Sequence, residues 1–250
     1  MRLVVRRLGR IKLMLVITAI SVVMAVALNL IFSFLFETGA PVVQSIVRAA
    51  VIPLFIAPLV SWYLLGLLID LDQLEAKMNK LATYDDLTGL YNRRALFKSC
   101  HLLHRLAVRT KETYCVVIVD LDFFKKINDQ YGHAAGDQVL KSFGQILKRV
   151  TRDCDLAGRM GGEEFCIYLS NTQQAQVEKI ISRLKTEIED NYPVFESTTI
   201  TYTISLGVAE NQNAAELGFE EVLNRADIAL YEAKNSGRNR SVSFNSELQR

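Results

Sequence analysis

Cysteine, histidine and proline are scarce in this 250-residue chain, at four, three and four residues. No two cysteines stand at CxxC spacing, and no histidine lies at metal-ligand distance from Cys100, Cys115, Cys154 or Cys166. That excludes a zinc ribbon and a disulfide scaffold, and leaves the four as small apolar residues of a reducing compartment. Net charge is nearly absent, at +2, and unevenly placed. Five of the 29 basic residues (Arg2, Arg6, Arg7, Arg10, Lys12) precede position 13 without an acid, leaving 24 to face 27 acidic groups. This balance excludes a general nucleic-acid binder. From Leu13 to Phe36 charge of either sign is missing altogether.

What is present is apolar surface: half the residues are hydrophobic and 22% charged, too apolar for a disordered chain. The uncharged run 13–36 would reach about 36 Å as a helix, enough to cross a hydrocarbon core of about 30 Å. A cleavable signal peptide shares the basic start and Ala25-Val26-Ala27, but this run far exceeds the usual apolar segment of one. A second uncharged run, Ala49 to Ile69, lies between Arg48 and Asp70 and contains Pro53 and Pro58, which kink a membrane helix without expelling it. The expected order is a basic cytoplasmic segment 1–12, transmembrane helix 13–36, external loop 37–48 and transmembrane helix 49–69. The positive-inside rule then places both chain ends in the cytoplasm. The external loop is too short to fold as a ligand-binding domain.

Val60, Leu64, Leu67, Leu71, Leu74, Met78 and Leu81 alternate steps of four and three, the spacing that buries a seam between two helices. A coiled-coil segment over 70–84 and a homodimer are expected; the rival is one amphipathic helix packed on its own domain. Beyond it the pattern predicts a helix over 92–109, a buried strand 114–121 and helical segments over 123–150 interrupted around Gly132 to Gly136. Strands 156–160 and 165–169 follow, joined across Gly161-Gly162, then a helix 173–190, a strand near 199–209, a helix 219–235 and a strand 241–244. This order implies an α/β fold, a mainly antiparallel sheet flanked by helices.

Strand 114–121 runs into Asp120-Leu121-Asp122, and side chains two apart on a strand share a face. Two like charges at the edge of a core are costly unless a cation or donor neutralises them. Asp122 has a second reading, as cap of the helix starting at Phe123. Gly161-Gly162-Glu163-Glu164 is a tight turn bearing two carboxylates; it is either a solvated hairpin tip or, if it lies beside strand 114–121, half of a hard-oxygen site for magnesium with a phosphate ligand.

Several segments in order carry a resemblance: DDLTGLYNRR (85–94), DLDFFKKIND (120–129), YGHAAGD (131–137), GGEEF (161–165), ISLGVA (204–209) and ADIALYEAKNSGRN (226–239). Together they resemble the GGDEF-domain diguanylate cyclases over about 160 residues, so 85–250 is taken as the catalytic domain. The resemblance implies a fold similar to the adenylyl cyclase palm, GTP as substrate, cyclic di-GMP as product and inhibitor, Mg2+ (or Mn2+) as cofactor, and a seat in the bacterial inner membrane. It implies metal binding by Asp120, Glu163 and the Leu121 carbonyl, and guanine reading by Asn128 and Asp137. A carboxylate accepts both guanine N1–H and the exocyclic amine, whereas adenine N1 is an acceptor; the rival for Asp137 is a cap in a helix-start loop. Lys234 and Arg238, four apart on the last helix, match triphosphate contacts, with Lys125 as a further one; a solvated helix face is their alternative. Arg152 and Asp155 match the product-inhibition RxxD, with Arg159 beside them, against a plain surface ion pair. Phe124 reads as core, His133 as a structural hydrogen-bonding residue, and Glu164 as an unassigned member of the catalytic set. The third signature letter is glutamate where the family's name has aspartate, a change that keeps the carboxylate. The alternative functions are an inactive GGDEF receptor for cyclic di-GMP or GTP, and a hybrid cyclase joining ATP to GTP.

Overall fold

The computed structural model describes residues 10–35, 41–213 and 216–245. Arg2, Arg6, Arg7, Phe36 and the first residues of the expected external loop lie outside them. The chain divides into two compact units, 1–78 and 79–250.

The first unit holds α1 (Arg10–Leu35) and most of α2 (Val42–Thr83). Ile11–Ile31 and Ala49–Thr83 have mean hydropathies of 2.5 and 2.1 and are long and apolar enough to cross a membrane. α2 continues through Pro53 and Pro58, each of which forfeits one ladder hydrogen bond without ending the helix. The seven residues of the four-three stripe, Val60 to Leu81, stay 47–63% exposed. Among the described residues this apolar seam stays largely exposed.

The second unit contains β1 (Tyr91–Asn92), α3 (Arg93–Thr110), β2 (Tyr114–Leu121), α4 (Phe124–Tyr131), α5 (His133–Val150), β3 (Leu156–Gly161) and β4 (Glu164–Ser170). Then come α6 (Gln174–Asp190), β5 (Val194–Phe195), β6 (Thr198–Thr199), β7 (Ile204–Asn211), α7 (Phe219–Asn235) and β8 (Ser241–Ser243). Six strands form one sheet in the order β1-β3-β4-β2-β7-β8, and β5-β6 is a separate ribbon. β2 pairs antiparallel with both β4 and β7, while the edge pairs β1/β3 and β7/β8 are parallel. The sheet is thus mixed: its three central pairings are antiparallel, in line with the mainly antiparallel sheet expected, and its two short edge pairings are parallel. The strand expected at 241–244 is present as β8, whereas β1, of two residues, is too short to leave a periodicity. Of the strand expected near 199–209, Thr199 belongs to β6 and only the part from Ile204 on forms β7, while β5 lies before it. The helical break falls at Gly132 alone, and Gly136 lies inside α5.

All eight residues of β2 are buried, and their alternation sorts two cores. Val117, Val119 and Leu121 pack with α5 and α6, whereas Tyr114, Val116 and Ile118 pack with α3 and α7. Each such aliphatic side chain contributes about 1.5–3 kcal/mol on burial, so register here is strongly fixed. Parity then carries the even-numbered Asp120 to the α7 side. Burial pushes the Cys100 and Cys115 thiols up to about 12, consistent with apolar packing residues.

Candidate active site

Asp120 ends the central strand almost buried, and its Oδ2 lies 2.7 Å from Lys234 Nζ in the last turn of α7. Burial pushes the Asp120 carboxyl above its ordinary value; the Lys234 ammonium works against this, and the neighbouring Asp122 charge adds to it. Lys234, expected from the resemblance at phosphate, thus stands at the carboxylate end of the strand. Asp122 is not a helix cap. It accepts from Thr203 Oγ1 (2.6 Å), Ser205 Oγ (2.6 Å) and the Asn239 amide (3.0 Å), while α4 begins after Phe123 with no side-chain cap. Three donors from distant segments converge on this buried acid, something no local spacing reveals. The knot fixes the chain after α7 against the end of β2, and with it the Lys234–Arg238 stretch.

Asn128 is carried by α4 and Asp137 by α5. Asp137 is the fifth residue of that helix, not a capping acid; the N-cap is Gly132 and has no side-chain bond. Asn128 packs against α5 at Gly136, the residue before Asp137, where an added Cβ would stand 1.9 Å from Asn128 Oδ1 and 3.1 Å from Phe124 Cζ. Gly136→Ala should therefore displace the Asn128 amide. Alanine is the better helix former by about 1 kcal/mol, so no loss of Tm is expected, while KM for the GTP that the sequence resemblance implies should rise about 10-fold or more, the order of one lost buried hydrogen bond. An unchanged KM would remove Asn128 from the base-reading role. Phe124 is buried, as expected for core. His133 is exposed, and among the described residues its side chain makes no hydrogen bond, so the expected structural role is not seen.

Phe123 and Lys126 carry a feature that the sequence did not signal. Phe123 takes a left-handed φ of 56° and leaves its ring half exposed. Arg238 stacks its guanidinium 4.7 Å from the ring centroid, and Lys126 Nζ lies 4.5 Å from it. Such contacts are worth about 0.5–1 kcal/mol at exposed sites. They gather two cations beside the acidic end of β2, with Lys125 exposed next in the chain.

The Gly161-Gly162 turn brings the second acidic pair alongside. Leu121 N–H donates to the Glu163 carbonyl at 3.3 Å, and Asp120 pairs across the ladder with Glu164. Burial, then the facing Asp120 charge, pushes the Glu164 carboxyl above its ordinary value, with Lys234 opposing. Glu164 also borders a cleft of about 330 Å³ between α3 and α7, which neither Asn128 nor Asp137 lines. The turn is braced by Arg159, which donates from Nε (2.9 Å) and Nη2 (2.7 Å) to the Gly162 carbonyl and meets Asp85 at 3.3 Å. Burial alone would raise the Asp85 carboxyl, but the Thr88 hydroxyl and amide together with Arg159 hold it below its ordinary range.

Of the RxxD residues, Asp155 is buried and accepts from the Arg152 and Ser170 amides, each at 3.1 Å. Arg152 keeps its side chain exposed before β3. Arg159, near the far end of that strand, is engaged by the turn and Asp85. The structure thus gives Asp155 and Arg159 internal partners and leaves Arg152 free to meet a ligand.

Among the described residues no three Asp, Glu, His or Cys side chains form a metal cage. Magnesium does not demand one, since it is commonly held by one or two carboxylates together with substrate phosphates and water. A buried carboxylate crowded by Asp122 and facing Glu164, with Leu121 and Glu163 joined by a backbone bond, is a hard-oxygen set that a divalent cation fits.

Comparison with known proteins gives one consistent picture. The family profile "Diguanylate cyclase, GGDEF domain" matches residues 82–240. Diguanylate cyclase A of Treponema denticola is 43% identical over 130 residues, 52% of this chain and 35% of its own length. Response regulator PleD of Caulobacter vibrioides is 37% identical over 165 residues, 65% of this chain and 36% of its own. This chain thus spans about a third of the length of those two relatives. The coiled coil and GGDEF domain of DgcB from Caulobacter crescentus, solved with c-di-GMP, superposes with a TM-score of 0.66 at 30% identity, covering 71% of this chain and 94% of that one.

Proposed function

This chain belongs to the diguanylate cyclase GGDEF-domain family, and on that premise we propose that it condenses two GTP molecules into cyclic di-GMP with release of two pyrophosphates. The observation that carries the proposal is the end of β2: Asp120 held on Lys234, with the Glu163-Glu164 turn bonded alongside. In each half-reaction the 3′-oxygen of one GTP attacks the α-phosphorus of the other, the O3′–Pα bond forms, and the bond to the β-phosphate oxygen breaks with its electron pair leaving on pyrophosphate. Asp120, Glu163 and the Leu121 carbonyl would hold Mg2+, or Mn2+ in its place, which supplies charge neutralisation and lowers the pKa of the attacking hydroxyl. Lys234, Arg238 and Lys125 bind the triphosphate. Asn128 and Asp137 hold the guanine. Glu164, with its raised carboxyl, is the group on this chain suited to hold the departing hydroxyl proton.

The product is two-fold symmetric, so two domains must face each other, each with one GTP. The exposed Val60–Leu81 seam supports a homodimer zipped through the helix over 70–84, which raises the effective concentration of the halves. The two apolar helices support a multi-pass seat in the inner membrane with the catalytic domain (85–250) in the cytoplasm. Arg152 and Asp155, with Arg159, form the candidate product-inhibition site.

The test is turnover of the purified full chain with GTP and Mg2+, followed by chromatography of the nucleotides. Cyclic di-GMP formation is expected, slowed by added product and relieved of that slowing in Arg152→Ala. No dinucleotide at high protein concentration would leave the inactive receptor. A mixed product from ATP with GTP would leave the hybrid cyclase. The Asp137 carboxylate, able to accept from both guanine N1–H and the exocyclic amine, favours guanine over adenine.

A further inference from the structure

The outer face of α3 has no part in the site above, and its composition is one-sided. The helix carries five Lys or Arg residues and no acid over its 18 residues. Leu96, Cys100 and Ala107 form its buried face. Lys98, Leu102, Arg105, Leu106 and Arg109 follow at steps of four, three, one and three, so they fall on the opposite face. All five are exposed, Leu102 at 60% and Leu106 at 42%. None of the ion pairs among the described residues engages Lys98, Arg105 or Arg109. Two exposed leucines thus stand among three cations that form no ion pair among the described residues, a mixed apolar and basic face whose like charges repel one another.

We propose that this face of α3 docks on an anionic phospholipid surface. The pattern is that of a helix lying in a bilayer interface, with leucines entering the headgroup boundary and Lys and Arg meeting the lipid phosphates. Charge complementarity selects the occupant: phosphate-bearing headgroups satisfy all three cations while the same surface accepts the leucines. The proposal rests on the membrane reading above, because α2 leads into this unit and α3 begins ten residues after α2 ends. A tether of that kind makes a weak surface affinity sufficient. Docking would fix the orientation of each catalytic domain and so bear on whether two of them can face.

The experiment uses the full chain with Cys154→Ser, to remove the exposed native thiol, and Leu102→Cys bearing an environment-sensitive fluorophore. It is reconstituted in vesicles of phosphatidylcholine alone or mixed with phosphatidylglycerol. A blue shift is expected only with phosphatidylglycerol, reversed by high salt. In the Lys98→Gln/Arg105→Gln/Arg109→Gln variant the docking equilibrium should fall about a hundredfold, roughly fivefold per charge. Cyclic di-GMP output in detergent should match the parent, reporting an intact fold. Equal emission on both lipids, or a triple variant indistinguishable from the parent, overturns the proposal. Flotation with neutral vesicles reads the apolar helices separately. If the chain floats and no lipid-dependent shift appears, only the α3 assignment fails; if it does not float, the membrane reading fails and takes this proposal with it.

Discussion

Asp120→Asn should abolish cyclic di-GMP formation, by on the order of 10²–10³-fold or more, while leaving the domain folded. Asparagine keeps the shape at the end of β2 and removes the charge that a divalent cation needs. The stability side follows from the direction of the Asp120 shift. Its carboxyl is raised in the folded state, so the folded chain binds more protons than the unfolded one just above the ordinary carboxylate pKa. Stability therefore falls as pH climbs through that window, and the ionised carboxylate at neutral pH is a cost to the fold. Losing it removes that cost. Lys234 is left without its partner but has 30% of its side chain in water, which limits the penalty. The expected result is a Tm within a few degrees of the parent and almost no product. Turnover within tenfold of the parent would show that the cation seat lies elsewhere.

The second large effect is structural. An added Cβ at Gly207 would stand 2.0 Å from the Ala226 carbonyl oxygen and 2.2 Å from the Leu230 amide nitrogen. Both are backbone atoms of α7, so no rotamer change relieves the contact and the whole helix must shift. Gly207→Ala should cost about 3 kcal/mol, the upper part of the overpacking range, or a fall in Tm of roughly 6–12 °C for a domain of this size. Because α7 carries Lys234, the displacement should also lengthen the bond to Asp120 and lower turnover. A thermal melt beside the same nucleotide assay reads both. A variant as stable and active as the parent would mean that α7 does not rest on β7 at this point.

These two residues mark different limits of legibility. Asp120 was visible as an anomaly, a charge finishing a run of β-branched residues, and the chemistry it needs could be stated from elementary electrostatics. Gly207 was visible only as a letter in a familiar stretch, since the close approach that requires it belongs to two elements far apart in the chain. Asp122 shows the same limit more sharply. Its spacing permitted a local cap, and its partners Thr203, Ser205 and Asn239 lie more than 80 positions away. The edge strand β1 was missed because two residues carry no period, and the parallel pairing of β1 and of the expected β8 is a property of the whole chain path.

Hydrophobic period and charge gaps along the chain determined the long elements: two helices built on long uncharged runs, the four-three stripe along the second, the buried central strand and the helices covering it. Those patterns are local, and apolar burial enforces them wherever the chain goes. Which acids and cations meet was decided only by tertiary structure. The parity of β2 sends Asp120 toward α7, the register with β4 sets Glu164 opposite it, and the glycines at 136 and 207 let helices come close enough to deliver Asn128 and Lys234. Contacts of that kind depend on distances of a few ångströms between segments remote in sequence, for which a linear pattern holds no measure.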